Sequence, residues 1–249
     1  MKVDLAGKIC LVTGGAGQLG RTIVRTLAAC GAEVAIHYHK SEAKAIELRD
    51  EIVAGSGRAA VVQADVTDSA SVAAMKGAVD SLLGAPSVVV DNAVVQYTWK
   101  PVLEQGLEDY ESQYRSCVLQ NVLMAKAFVP AMIASRWGRV IAINTECSMQ
   151  CFPGQSAYVS GKRGMDGLLR VLAKEVGEHG ITVNQVAPGW MMSDDSKDPA
   201  PAYSEHVPLR HRGTDQDVAN LVAFLASDLA GFISGAYIPV CGGNVMPTI

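Results

Sequence analysis

Tyr158 and Lys162 are the residues whose types and spacing most directly suggest chemistry. They lie four positions apart in the run Tyr-Val-Ser-Gly-Lys, so a helix there would place the phenol and the ammonium group on one face, about one turn apart. A free phenol has a pKa of about 10, and a nearby cation lowers that pKa by favouring the phenolate. The pair is therefore predicted to exchange a proton with a substrate oxygen near neutral pH. The alternative is a half-buried ring beside a solvated charge.

A glycine-rich turn near the N-terminus indicates a phosphate-binding loop. The apolar run 9–13 predicts a buried strand, and residues 14–20 separate it from an amphipathic stretch. Gly15, Gly17 and Gly20 match the G-x-G-x-x-G spacing, in which backbone amides approach a pyrophosphate at the positive end of a helix dipole. A flexible turn is the alternative, but a position between strand and helix is the context that this motif requires.

Strands and helices are predicted to alternate along the chain. Strand patterns lie near residues 9–13, 33–38, 59–63, 87–91, 139–144, 182–187 and 237–240. Helical patterns lie near residues 19–30, 41–54, 69–83, 108–135, 156–177 and 214–227, with Thr214 as the N-cap of the last. This alternation predicts an α/β fold, a Rossmann-like, doubly wound parallel sheet of about seven strands with helices on both faces. We expect one domain over residues 1–249, with a substrate lid near 190–213.

Composition argues against several classes of partner. The net charge is −4 and the charges are scattered, so we expect no nucleic-acid partner. We expect no membrane partner and a cytoplasmic location, because no stretch approaches the roughly 20 apolar residues of a bilayer span and the N-terminus does not resemble a signal peptide. The six cysteines lack C-x-x-C spacing, so we expect no disulfide framework. His37 and His39 share a strand face but lack a third ligand nearby, so no metal site is predicted.

Taken in order, the motifs of this chain resemble the short-chain dehydrogenase/reductase family, in particular its 3-oxoacyl-ACP reductase-like members. The resemblance covers essentially the whole chain. It rests on Thr13-Gly14 through Gly20, Ala64-Asp65-Val66, Asp91-Asn92-Ala93, Gly138-Arg139-Val140 leading to Thr145, Tyr158 with Lys162, Val183-Asn184 to Pro188-Gly189, and Val240-Cys241-Gly242-Gly243.

The resemblance implies roles for the residues that match. Tyr158 is the catalytic acid/base, and Lys162 lowers its pKa and holds the nicotinamide ribose. Thr145 stands where the family usually has a catalytic serine, and its hydroxyl can still bond the substrate carbonyl; Ser148 is the fallback. Asp65 meets the adenine, and the Pro188-Gly189 turn contacts the nicotinamide.

Three positions depart from the family pattern. Gln18 replaces a glycine of the phosphate loop. Val94 ends the usual Asn-Asn-Ala-Gly segment, which here reads Asp-Asn-Ala-Val. Cys117 stands where many members have an asparagine that supports a water chain to the lysine. Asn121 lies one turn further on the same helix face, and whether it substitutes for that asparagine is left open by the sequence. These departures place the proton relay in question and leave the tyrosine and the lysine intact.

The end of the second strand favours NADP(H) over NAD(H), with NAD(H) still possible. NAD-binding units usually carry an acid there, whereas this strand ends in His37-Tyr38-His39-Lys40-Ser41. Lys40 and Ser41 suit a 2′-phosphate, although Lys40 is alternatively only a solvated charge. The full predicted cofactor-binding set is Gly14, Gly15, Gly17, Gln18, Leu19, Gly20, His37, His39, Lys40, Ser41, Asp65, Val66, Asn92, Ala93, Pro188 and Gly189.

The predicted function is NAD(P)-dependent interconversion of a carbonyl and an alcohol by hydride transfer, run as NADPH-dependent reduction of a small molecule. Residues 94–99, 149–155 and the lid are expected to contact a moderately apolar substrate. One alternative is a degenerate family member that binds dinucleotide as a sensor or scaffold. Another is a Rossmann-like enzyme of different chemistry, such as a methyltransferase. In that case the spacing of Tyr158 and Lys162 is a coincidence. The resemblance also implies a homotetramer or a homodimer.

Overall fold

The strands of the computed structural model form one parallel sheet. The structure describes residues 2–192 and 201–246, and within them the strands are β1 (Ile9–Val12), β2 (Glu33–Tyr38), β3 (Ala59–Gln63), β4 (Val88–Asp91), β5 (Gly138–Ile143), β6 (Ile181–Pro188) and β7 (Tyr237–Val240). Their order is β3-β2-β1-β4-β5-β6-β7, with every pairing parallel. The central strands are continuous apolar runs because helices cover both of their faces.

Helices pack on both sides of this sheet. They are α1 (Gln18–Ala29), α2 (Glu42–Ala54), α3 (Ser69–Leu82), α4 (Leu107–Gln113), α5 (Gln120–Ser135), α6 (Cys147–Gln150), α7 (Ser156–Val176), α8 (Pro201–His206) and α9 (Asp215–Ala226). Side chains of α1, α2 and α9 belong to one buried core cluster, and those of α3, α5 and α7 to the other. The two clusters lie on opposite faces, so the predicted doubly wound α/β class is confirmed.

The long helix expected over 108–135 is divided. A π-helical turn, Tyr114–Leu119, separates α4 from α5. Such turns widen the helix by one residue and are frequent at functional sites. Sequence periodicity does not reveal this turn, and the short helices α6 and α8 were also not predicted.

The continuous segment Leu107–Ser135 is long and apolar enough, by length and composition alone, to span a membrane. The expectation that no stretch approaches this limit was therefore wrong. Nearly half of its most apolar window is buried, and Met124, Phe128 and Met132 lie in the core cluster beneath the sheet. The segment is apolar because it packs against β4, β5 and α7.

Two of the sequence predictions concern the C-terminal third of the chain. Thr214 is the N-cap of α9, where its hydroxyl accepts from Asp217 N and the Asp217 carboxylate accepts from Thr214 N at 2.7 Å. This capping box confirms the predicted helix start. The predicted lid 190–213 includes α8, while its residues 193–200 lie outside the described part of the chain.

Candidate active site

A cavity of about 740 Å³ opens at the carboxyl ends of the central strands. It lies where the strand order reverses between β1 and β4, the usual ligand position in open α/β sheets. The predicted site residues that line it are Gly14, Gly17, Gln18, Leu19, Gly20, His37, His39, Lys40, Ser41, Asp65, Val66, Asn92, Ala93, Thr145, Tyr158, Lys162, Pro188 and Gly189. The structure thus brings together residues that are up to 175 positions apart, counting from Gly14 to Gly189 (189 − 14).

Gly15 does not line this cavity. A Cβ atom there would lie 3.1 Å from Ile36 Cγ2 and 3.2 Å from Val24 Cγ2. Its missing side chain therefore lets α1 pack closely on β2. Gly15 thus supports the loop from behind.

The glycine loop is held by hydrogen bonds from β4. Thr13 Oγ1 accepts from Asn92 N at 2.9 Å and from Ala93 N at 3.0 Å. The Asn92 side chain donates to Thr13 O at 2.9 Å. Sequence reasoning did not assign Thr13 to the site, because its role depends on a strand that lies far along the chain.

Backbone geometry in the loop fits a dinucleotide phosphate. Gly14 has a φ of +62°, a left-handed conformation that favours glycine. A Cβ on Gly20 would collide with Gly14 O and would lie 2.9 Å from Gly15 Cα. Gly17, the N-cap of α1, has no side chain to cap the helix, and the positive end of a helix dipole suits an anion.

His37 is a neutral ring that hydrogen-bonds the glycine loop. Its side chain is buried; Nδ1 accepts from Gly14 N at 2.9 Å, and Nε2 lies 3.0 Å from Ala64 O. Burial is the main cause that lowers the pKa of His37 to about 4. The ring is therefore neutral at pH 7 and bridges the glycine loop to the end of β3.

The neighbouring residues suit a 2′-phosphate better. His39, Lys40 and Ser41 are exposed and line the same cavity. Ser41 is the N-cap of α2, and its hydroxyl makes no cap bond. A cation, a hydroxyl and a helix N-terminus thus lie together where no acid was found in the sequence.

Asp65 lies across the cavity from these groups. Its Oδ1 accepts from Thr67 N at 2.8 Å and from Thr67 Oγ1 at 2.7 Å. These bonds are the first cause that lowers the pKa of the Asp65 carboxyl. Asp65 is therefore a fixed carboxylate, consistent with the predicted contact to a neutral base.

Tyr158, Lys162 and Thr145 meet at the other end of the cavity. Tyr158 and Lys162 lie one turn apart in α7, with Lys162 Nζ 5.8 Å from the centre of the Tyr158 ring. Lys162 Nζ donates to Ile143 O at 2.5 Å. Thr145 follows β5, and its side chain hydrogen-bonds the Tyr158 phenol. A proton donor, a cation and an orienting hydroxyl are thereby collected in one place.

The expected lowering of the Tyr158 pKa is not observed. Burial raises the pKa of the phenol, and the Cys147 and Cys117 thiols raise it further. The hydrogen bond from Thr145 opposes this rise, but Lys162 is not among the causes. Burial also lowers the pKa of Lys162. In this geometry Tyr158 is a protonated donor at neutral pH.

Ser148 is not positioned as an alternative to Thr145. Its Oγ donates to Thr145 O at 3.0 Å and lies 2.7 Å from Tyr237 Oη. It is buried and does not line the cavity. Ser148 therefore supports the backbone at Thr145.

Aromatic side chains form the substrate end of the cavity. The lining includes Val94, Val95, Gln96, Tyr97 and Trp99, as predicted, and also Trp190 and Met191. The Trp99 ring stacks on Tyr158 with centroids 6.1 Å apart, and Tyr97 Oη accepts from Tyr158 N at 2.8 Å. Residues 149–155 do not line the cavity, contrary to expectation.

Glu146 is a buried carboxyl that sequence reasoning missed. It follows Thr145, and its Oε1 accepts from Tyr203 Oη at 2.7 Å while its Oε2 accepts from Asn244 Nδ2 at 3.1 Å. Tyr203 belongs to α8 and stacks on Trp190 with centroids 5.4 Å apart. Glu146 thus ties the described part of the lid to the end of β5. Burial is the first cause that raises its pKa.

Cysteine and metal chemistry play no visible part in this geometry. All six cysteines lie within the described residues and are free thiols. Over residues 2–192 and 201–246, no group of three or more His, Cys, Asp and Glu side chains is arranged to hold a metal ion.

Known proteins resemble this chain in sequence and in fold. A family model described as enoyl-(acyl carrier protein) reductase matches residues 14–244. The 3-oxoacyl-[acyl-carrier-protein] reductase FabG of Pseudomonas aeruginosa is 34% identical over 249 residues, which cover 98% of this chain and 100% of that protein. The FabG of Staphylococcus epidermidis is 36% identical over 256 residues, 96% of this chain and 99% of that protein. A blue fluorescent protein from a metagenomic library, solved in complex with NADPH, superposes with a TM-score of 0.90 at 32% identity and covers 98% of this chain and 100% of its own.

Proposed function

Because the chain belongs to the short-chain dehydrogenase/reductase family, we propose that it is an NADPH-dependent reductase of small carbonyl compounds, with 3-oxoacyl thioesters as the first substrate class to test. The observation that carries this proposal is the single cavity, which has the glycine loop and Lys40 at one end and Tyr158, Lys162 and Thr145 at the other. The related FabG proteins and the NADPH-bound neighbour support the cofactor and the reaction type.

Several residues of this chain have separate roles in the proposed reduction. A bound nicotinamide supplies the hydride to the carbonyl carbon. Thr145 holds the carbonyl oxygen, and Tyr158 donates its phenolic proton to that oxygen as negative charge develops. The Lys162 ammonium group stabilises the phenolate that remains. Trp99, stacked on the tyrosine ring, excludes water from the reacting atoms.

The state of Tyr158 supports the reductive direction. Burial raises the pKa of its phenol, so the proton is in place at neutral pH. Reduction needs a proton donor at the substrate oxygen, whereas alcohol oxidation needs a phenolate there. The resident protonation state therefore matches the first step of reduction.

Steady-state kinetics over a carbonyl panel test the proposed function. The panel consists of 3-oxoacyl thioesters, keto sugars, diketones, pterins and steroids, each with NADPH and with NADH. We expect turnover with at least one class and a higher kcat/KM with NADPH. Tight dinucleotide binding without turnover of any member would favour the alternative of a sensor or scaffold.

Replacing Lys40 by alanine is expected to weaken NADPH binding about tenfold and to leave NADH binding nearly unchanged. The reason is the loss of one charge-assisted hydrogen bond to the 2′-phosphate, at the low end of its range because Lys40 is exposed. Fluorescence titration of both cofactors measures this effect. Lys44→Ala is the matched control, since Lys44 is exposed on α2 but does not line the cavity. An equal loss of affinity for NADPH and NADH would refute the role of Lys40.

We further propose that residues 1–249 fold as one cytoplasmic domain that assembles into a homotetramer or homodimer. Exposed apolar side chains on the two long helical segments support the assembly, among them Leu107, Tyr114 and Val171. Light scattering coupled to gel filtration measures the number of subunits, and a monomer at micromolar concentration would exclude it.

A further inference from the structure

A buried carboxyl lies beneath the catalytic residues at Asp91. This residue ends β4, in the position where the resembling family usually has an asparagine. Its side chain is only 3% exposed, and its Oδ1 has no hydrogen-bond partner among the described residues. Burying a carboxyl without partners is costly. The free-energy cost of burying this carboxyl points to a functional role for Asp91.

Lys162 is the charged group that acts on this carboxyl. Side chains alternate along β4, so Asp91 shares the sheet face of Val89, which lies in the core cluster that also contains Cys117. Helix α7 reaches this end of the sheet, because Lys162 Nζ donates to Ile143 O at 2.5 Å. Ile143 follows Ala142, the β5 residue that pairs with Asp91. Both Cys117 and Asp91 raise the pKa of Lys162 electrostatically. Asp91, Cys117 and Lys162 therefore form one buried ionisable cluster.

The cluster replaces the polar partner expected of the family at position 117. Cys117 Sγ lies 3.9 Å from Gln113 Oε1, and the Asn121 side chain donates to Cys117 O at 2.7 Å. Neither side chain hydrogen-bonds Lys162 among the described contacts. Asp91 is thus the carboxyl of this cluster, and its ionisation changes the electrostatic surroundings of Lys162.

We propose that Asp91 is a positioning residue whose charge sets, through Lys162, how readily Tyr158 becomes a phenolate. A neutral Asp91 leaves the full positive charge of Lys162 to stabilise the phenolate that forms when Tyr158 gives its proton to the substrate. An ionised Asp91 cancels part of that charge. Turnover therefore falls as Asp91 loses its proton.

The protonation of Asp91 falls in a measurable pH range. Burial raises the pKa of its carboxyl to about 8, with Lys162 opposing the rise, so the group is largely neutral at pH 6 and largely ionised at pH 9. The Asp91 carboxylate in turn raises the pKa of Lys162 against the lowering by burial. Both directions agree with one coupled pair.

The first test is the pH dependence of kcat, and it rests on the proposed carbonyl reductase activity. Asp91→Asn removes the charge and restores the side chain usual in the family. At pH 6 we expect the variant within about twofold of wild type, and at pH 9 we expect it to be roughly fivefold faster. Asp80→Asn is the matched control on α3; Asp80 pairs with Lys76 and does not line the cavity, so its profile should follow wild type.

The outcomes separate the two proposals. Superimposable profiles for wild type and Asp91→Asn, or an equal loss at every pH, would overturn the role of Asp91 and leave the reductase intact. A wild-type protein that oxidises no NADPH with any carbonyl would overturn both.

Thermal unfolding gives a second readout that does not need turnover. The pKa of Asp91 is raised in the folded state, so folding requires proton uptake between about pH 4 and pH 8, and stability is lost as pH rises over that window. Asp91→Asn abolishes this loss. Its Tm relative to wild type should therefore be higher at pH 9 than at pH 5, by about 5 °C. An unchanged Tm difference at the two pH values would contradict a protonated, buried Asp91.

Discussion

Replacing Tyr158 by phenylalanine is expected to lower kcat for carbonyl reduction roughly a thousandfold, within the range that general acid catalysis contributes. The phenol interacts with the Thr145 side chain, and it is held protonated by burial. Phenylalanine keeps the ring that packs against Trp99 and removes only the hydroxyl group. Steady-state kinetics with NADPH measure the loss, and fluorescence titration should show NADPH affinity within about threefold of wild type.

A second tyrosine provides the control for this experiment. Tyr110 lies on α4, outside the cavity lining, with its Oη 2.7 Å from Ser156 Oγ at the start of α7. Tyr110→Phe should retain most of the activity, because it disturbs the approach to α7 without touching the reacting atoms. Equal activity of Tyr158→Phe and wild type would rule out Tyr158 as the acid and revive the scaffold alternative.

Replacing Gly20 by alanine is expected to weaken NADPH binding at least about a hundredfold. The added Cβ collides with the Gly14 carbonyl oxygen and crowds Gly15 Cα. Both atoms belong to the backbone, so neither can rotate away. Relief requires α1 to move away from the loop, which displaces the amides that hold the pyrophosphate. Calorimetric titration with NADPH measures the affinity, and circular dichroism checks that the fold is retained.

The matched control is Gly77→Ala on α3. A Cβ on Gly77 meets no atom within 4 Å, and alanine is the better helix former by about 1 kcal/mol. This variant should bind NADPH like wild type and unfold at the same or a higher temperature. If Gly20→Ala also bound NADPH normally, the loop would not be the pyrophosphate site.

The fold could be predicted because local signals and the global arrangement agree. Strands such as β4, Val88–Asp91, are short apolar runs between turns, and helices such as α9 begin at a recognisable cap at Thr214. The π-helical turn at Tyr114–Leu119 could not be predicted, since it appears where α7 packs closely on that segment through Gly161. No periodicity in the sequence encodes that contact.

The lining of the cavity was predictable where a motif specifies the residue type. Tyr158, Lys162 and Gly20 lie where the motifs place them. The neutral state of His37 could not be predicted, because the burial that lowers its pKa arises only in the fold. The direction of the Tyr158 pKa shift was misjudged, because burial raises that pKa and Lys162 is not among the causes that act on it.

Buried acids were beyond sequence reasoning altogether. Asp91 and Glu146 each stand at the end of a strand in the sequence, where an acid is ordinarily solvated. Lys162 acts electrostatically on Asp91, and Tyr203 and Asn244 hydrogen-bond Glu146. Both contacts are long-range, and both change the ionisation of a group beside the catalytic residues.

The most direct test of the central claim follows the hydride itself. NADPH deuterated at C4 of the nicotinamide, in each of its two epimers separately, is mixed with the best carbonyl substrate of the panel, and the product is analysed by mass spectrometry and NMR. The account predicts that one epimer delivers deuterium to the former carbonyl carbon with wild-type protein, and that Tyr158→Phe delivers almost none in the same time. NADPH that binds tightly but transfers no deuterium to any carbonyl would contradict it.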